Sequence, residues 1–170
     1  VVKTKAPAVL RLVFHDAGTY RRGLGPVLAT MDALRDTPAA AASLADVIAA
    51  AGAYAVELTG GPIIRVRLGR VDAVSADPEN RMPADTLTGE EQRAHFVRAG
   101  FSTREMVAIA GAHTIGGKGF GEPYVFDNEY YKTLLARPLE YVRKYAEDQG
   151  LFFEDFGAAY LKLTEQGATW

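Results

Sequence analysis

Apolar residues recur at helical spacing along most of the chain, and polar start and stop signals cut that pattern into segments. Pro7 stands where a first helical residue is favoured, and residues 8–16 run without a breaker to Gly18. Ser43 is placed to cap a helix through Glu57, with Asp46 set to complete a capping-box-like pair and Gly60-Gly61-Pro62 ending the run. Thr88–Glu91 and Ser102–Glu105 are two further capping boxes, opening helices towards Val97 and Ala110. Asp127 is placed to cap a helix through Leu135, and two more are predicted over 139–148 and 151–165. The one short β-like piece is 63–68. There is no βαβ alternation, Walker-type loop or internal repeat. The alanine-rich stretches 39–42 and 49–51 sit among good helix formers and read as close helix packing. The predicted class is all-α.

The 170 residues fit one domain, or two small lobes sharing a core. At 48% hydrophobic and 24% charged, the chain lies in the ordinary globular range. A net charge of -2 argues against nucleic-acid or anionic-membrane binding, and no apolar run is long enough for a bilayer span. With no cysteine, disulfides, thiolate metal sites and a cysteine nucleophile are excluded. The N-terminal Val-Val-Lys-Thr-Lys has no signal-peptide character, so any cellular address is not legible there.

Chemistry narrows to three histidines, His15, His95 and His113. Arg11 and His15 are four apart, hence on one helical face about a turn from each other. The apolar Leu12, Val13 and Phe14 between them suggest burial, where a guanidinium needs a partner. Spacing alone leaves two readings open: a catalytic pair, or an arginine meeting a buried carboxylate beside a satisfied core histidine. His113 follows Gly111 and Ala112 at the end of an apolar helix. Those small neighbours would let a flat macrocycle approach the imidazole, although a buried histidine bonded to a carbonyl fits the segment as well. His95, among polar helical neighbours, is expected on the solvated surface.

Leu10-Arg-Leu-Val-Phe-His-Asp-Ala-Gly-Thr19 resembles the distal motif of plant-type haem peroxidases, and Val107-Ala-Ile-Ala-Gly-Ala-His-Thr-Ile-Gly116 resembles their proximal motif. Gly60-Gly-Pro62, Leu68-Gly-Arg-Val-Asp72, Asp77-Pro-Glu79 and Phe126-Asp-Asn128 follow in the order found in ascorbate peroxidases. Lys118-Gly-Phe-Gly-Glu-Pro123 and Tyr145-Ala-Glu-Asp-Gln149 are similar to the plastid group called ascorbate peroxidase-related proteins. The resemblance implies two helical lobes sandwiching haem b, residues 1–95 on the distal side and 96–170 on the proximal side. It implies hydrogen peroxide and a small reductant as substrates, a part in oxidative stress, and a plastid stromal location. His15 would be the general base, Arg11 the stabiliser of charge as the O–O bond breaks, Phe14 the ring over the haem edge, and His113 the iron ligand. By the same resemblance Thr114, Asp127 and the Val125 carbonyl stand at positions of a K+ or Ca2+ site, while Thr114 and Asp127 read equally well as helix caps.

Several family features are missing. The loop carrying an asparagine for the distal histidine is absent near 20–21, and the segment carrying an aspartate for the proximal histidine is absent near 138–139. The well-kept flanks favour segments left out of a longer chain over a degenerate site. A proximal tryptophan would fall near Gly119 or Phe120, and the only tryptophan is Trp170. The arginine that pairs with ascorbate has no counterpart in 117–122. The resemblance therefore implies peroxide chemistry with ascorbate doubtful as donor. The alternative is a haem-poor, non-catalytic peroxidase fold serving as a binding or scaffold protein.

Overall fold

The computed structural model describes residues 1–18, 25–35, 37, 41–75, 83–84, 86–117, 119–136 and 139–170. Among them are eight α-helices: α1 Ala6–Gly18, α2 Gly25–Arg35, α3 Leu44–Leu58, α4 Gly89–Arg98, α5 Thr103–Ala110, α6 Glu129–Thr133, α7 Glu140–Glu147 and α8 Gln149–Glu165. Short 3-10 turns cover Lys3–Lys5 and Gly111–Thr114. No strand occurs among the described residues, so the chain is all-α.

α1 lies along α3, and α8 packs against both α1 and α5. Small residues on α3 permit the close approach. A Cβ at Gly52 would strike the Val13 side chain and the Tyr160 hydroxyl, and that hydroxyl donates to the Ala49 carbonyl at 2.7 Å. One apolar cluster runs from Val9 and Val13 of α1 through Ile48 and Val56 of α3 to Phe152, Phe156 and Tyr160 of α8. α8 thus belongs to the core of both halves of the sequence.

Local signals placed most of the elements. Both capping boxes are formed: Thr88 and Ser102 accept from the backbones of Glu91 and Glu105, whose carboxylates bond back. Ser43 caps α3, but Asp46 does not close a box there. Its buried carboxylate instead takes Arg70 Nη1 at 2.9 Å, the Gly69 N–H at 2.6 Å and the Arg70 N–H at 3.3 Å. Asp72 caps the same helix from outside, accepting from the Leu44 and Ala45 N–H groups. Leu68-Gly-Arg-Val-Asp72 is therefore a clamp across the start of α3.

Three expectations are corrected. Helix α2 was not anticipated; Pro26 in its first turn is the signal that pointed to it. The 63–68 piece is extended but not a strand, because no ladder partner lies beside it among the described residues. Its exposed Ile63 and buried Ile64 reflect an alternating chain laid on the core. Finally, α6 ends at Thr133, not Leu135, and Asp148 starts α8 by accepting the Leu151 N–H at 2.9 Å.

Candidate functional site

α1 buries Val9, Leu10, Leu12 and Val13 against its neighbours. That leaves Arg11 exposed and Phe14 and His15 half-buried at one edge of the helix. The expected burial of Arg11 does not hold, and the partner seen among the described residues is a histidine: Arg11 Nε donates to His15 Nε2 at 3.2 Å. The bond fixes one nitrogen of His15 as an acceptor, the form in which imidazole can take a proton. The Phe14 ring stands edge-on to His15 at 6.2 Å and stacks on Phe96 of α4 at 6.4 Å and 20°. The sequence did not reveal Phe96 as a support, since the contact joins residues far apart in the chain. His95 is half-buried rather than solvated, with its ring edge-on to Phe96.

His113 is not in α5, which stops at Ala110, but in the 3-10 turn Gly111–Thr114. Gly111 is buried so tightly that a Cβ would strike the Phe152 ring and the Tyr131 hydroxyl. Thr114 is buried too, while His113 between them is exposed. The buried-histidine alternative therefore fails: the turn anchors its two ends in the core and presents the imidazole outward. The Tyr130 ring lies 5.5 Å from it. Beyond the turn, Gly116 has a positive φ of 101°, donates to the Pro123 carbonyl at 2.8 Å, and lies 3.5 Å (from an ideal Cβ) from Pro7. That contact sets the His113 segment beside the first turn of α1, the helix of Arg11 and His15.

Among the possible cation positions, Thr114 Oγ1 donates directly to Asp127 Oδ1 at 2.6 Å. The same oxygen accepts the Glu129 N–H at 3.1 Å, which starts α6. The pair thus forms a cross-link and a helix cap. Val125 is partly exposed, and its N–H donates to the Glu122 carbonyl. No group of three or more His, Cys, Asp or Glu suited to a metal ion occurs among the described residues.

For haem, the residues present fit. A neutral imidazole with small flanking residues is an ordinary axial ligand, and His113 is exposed between the buried Gly111 and Thr114. The two loop segments expected to be missing near 20–21 and 138–139 fall at positions outside the described residues or next to them, and Lys118 and the whole of Asp77-Pro-Glu79 also lie outside the described residues. No helix among the described residues is long and apolar enough to cross a membrane.

A family model described as Peroxidase matches residues 20–122. The Arabidopsis thaliana protein named "Putative L-ascorbate peroxidase 6" is 42% identical over 223 aligned positions, spanning 100% of this chain and 66% of that protein. "L-ascorbate peroxidase 2, cytosolic" of the same plant is 32% identical over 95% of this chain and 85% of its own length. "L-ascorbate peroxidase 5, peroxisomal", also from Arabidopsis thaliana, is 31% identical over 95% and 76%.

Proposed function

Because the chain belongs to the peroxidase family, we propose that it is a haem-dependent oxidoreductase that reduces hydrogen peroxide to water with a small electron donor. The observation that carries this reading is the Gly116–Pro7 contact, which brings the exposed His113 beside the helix bearing the bonded Arg11–His15 pair. In this reading haem b would be held between two lobes, 1–95 and 96–170, by His113 as iron ligand and by Phe14.

When bound, the haem supplies the iron redox chemistry that cleaves the O–O bond. His15 would act as general base, taking a proton from one peroxide oxygen and returning it to the departing one. Arg11 gives up its bond to His15 Nε2 and turns its fork towards the peroxide, where it stabilises developing negative charge. Phe14, braced by Phe96, holds the edge of the pocket apolar.

An alignment of 223 positions for a chain of 170 residues supports the reading that internal segments of the relatives have no counterpart here. The distal asparagine and proximal aspartate belong to such segments. A K+ or Ca2+ ion is not part of the proposal, since Thr114 and Asp127 bond to each other. A plastid location rests on the resemblance alone, and relatives named above are cytosolic and peroxisomal.

Titration with hemin tests the cofactor: a Soret band saturating near one haem per chain is expected, and none would refute the reading. For the donor, ascorbate is expected to be poorer than a phenol. The absent arginine removes a charge-assisted bond of about 1.5–3 kcal/mol, or roughly ten- to a hundredfold in rate. Ascorbate turnover equal to the phenol's would overturn that part.

A further inference from the structure

The family's proximal tryptophan is absent, yet an unbroken file of tyrosine rings leads away from His113. Ring centroids are 5.5 Å apart from His113 to Tyr130, 5.3 Å from Tyr130 to Tyr131, 5.1 Å from Tyr131 to Tyr145 and 6.1 Å from Tyr145 to Tyr141. Electron tunnelling falls off steeply with distance, and each of these steps is close to ring contact. Tyr141 lines a surface cavity of about 390 Å³ together with Arg104, Lys144 and Leu151. The file therefore runs from the candidate iron ligand to a place where a small molecule can sit.

Oxidising a phenol at ordinary pH requires somewhere for its proton to go, and the tyrosines differ in this. Tyr131 is fully buried and its hydroxyl donates to the carbonyls of Val107 at 2.8 Å and Ala108 at 3.2 Å. A carbonyl does not hold a proton, so Tyr131 can bridge but not deprotonate. The Tyr145 hydroxyl instead donates to Asp155 Oδ2 at 2.6 Å. Asp155 is itself held in a bidentate pair with Arg104, Nε to Oδ2 and Nη2 to Oδ1, both at 2.7 Å. Burial and the Asp155 carboxylate push the Tyr145 phenol well above its usual range, so it stays protonated until an electron is withdrawn.

We propose that Tyr145, with Asp155 as its proton acceptor, is a redox-active tyrosine that relays electrons from a donor at the Tyr141 cavity to the haem side of His113. The proposal rests on the haem reading above. In the outward step one electron leaves Tyr145 through the Tyr131 and Tyr130 rings, to be consumed in the reduction of hydrogen peroxide. The phenolic proton moves to Asp155, leaving a neutral tyrosyl radical beside a carboxylic acid. In the return step a phenolic donor gives one electron to the radical and releases its own proton to solvent, while the Asp155 proton goes back to Tyr145. Two such cycles supply the two electrons that one hydrogen peroxide needs to become two waters, the two protons released by the donors balancing those taken up.

The test is electron paramagnetic resonance of the haem-loaded full chain, freeze-quenched after one equivalent of hydrogen peroxide without donor. A tyrosyl signal that narrows with ring-deuterated tyrosine is expected. It is expected to vanish in Tyr145→Phe and to change its g-values in Asp155→Asn, while the Soret response to peroxide stays intact in both. Either variant keeps the shape of the site. A signal unchanged in Tyr145→Phe, or no tyrosyl signal despite a normal Soret response, overturns the relay. Failure to bind haem would instead refute the haem reading. Photo-oxidation of the haem-free chain with a ruthenium tris-bipyridine complex and persulfate then decides on Tyr145. A radical lost in Tyr145→Phe supports it as the redox-active tyrosine, and one indifferent to that change overturns it.

Discussion

Arg11, His15 and His113 could be picked out of the sequence because each sits in a motif of neighbours along the chain. Their settings could not. The sequence suggested a buried arginine on an apolar helix; the fold turns Arg11 outward and bonds it to His15. Periodicity cannot say which edge of a helix its partners will leave open. Tyr130 and Phe96 escaped notice for a related reason, since each meets its histidine or phenylalanine across a gap no local pattern spans. At this scale the two histidines should separate by function. His113→Ala is expected to weaken saturable hemin binding, because it removes the proposed iron ligand. His15→Ala is expected to bind hemin normally but react with peroxide about a hundredfold or more slowly, the scale of a lost general base. Hemin titration followed by stopped-flow mixing with peroxide measures both, and equal loss of haem in the two variants would mean the roles are misassigned.

Elements whose ends are set by capping were the most legible. A capping box is complete within four residues, so Thr88–Glu91 and Ser102–Glu105 needed no knowledge of the fold. Where an end depends on distant groups the reading failed: Asp46 looked like half of a box and is the anchor of a loop 23 residues away. Likewise 63–68 has a strand's alternation but no partner strand, and alternation alone makes no ladder. The turn that carries His113 depends on such a long-range fit at Gly111, against Phe152 of α8 and Tyr131 of α6. Gly111→Ala should therefore destabilise the chain by about 1–3 kcal/mol, the usual cost of overpacking a full core. Because the strain falls next to His113, hemin affinity should drop as well. Urea unfolding and hemin titration of this variant test both, and an unchanged midpoint would show that α8 yields more easily than its contacts imply.

The whole molecule is held across its length by the group around Arg70. Its guanidinium pairs with Asp46 and donates from Nε to the Thr164 carbonyl at 2.9 Å, joining α3, the extended segment and the end of α8. Val71 N–H adds a bond to the Thr169 carbonyl at 2.8 Å, and Trp170 lies under Arg67. None of this was legible beyond the presence of Leu68-Gly-Arg-Val-Asp72, because the partners come from three distant parts of the chain. Breaking one half of a buried pair strands a charge, so Asp46→Asn is expected to cost about 3–5 kcal/mol. Replacing both ions should not restore stability here. The Asp46 carboxylate also satisfies the Gly69 and Arg70 N–H groups, which an apolar pair such as Asp46→Leu with Arg70→Met would leave without acceptors. The pH dependence follows from the same bonds. Burial raises the Asp46 pKa, but the hydrogen bonds from Gly69 and Arg70 outweigh it and leave the carboxyl below its usual value. A carboxyl depressed by folding contributes fully above its unfolded pKa of about 3.9, and that contribution is lost as pH falls from there through the folded value. Thermal or urea unfolding followed from pH 7 down to about pH 2 should show an acid limb that is shallower in Asp46→Asn than in the parent chain. Parallel limbs in the two proteins would mean that Asp46 keeps its ordinary pKa and that acid sensitivity arises at other carboxylates.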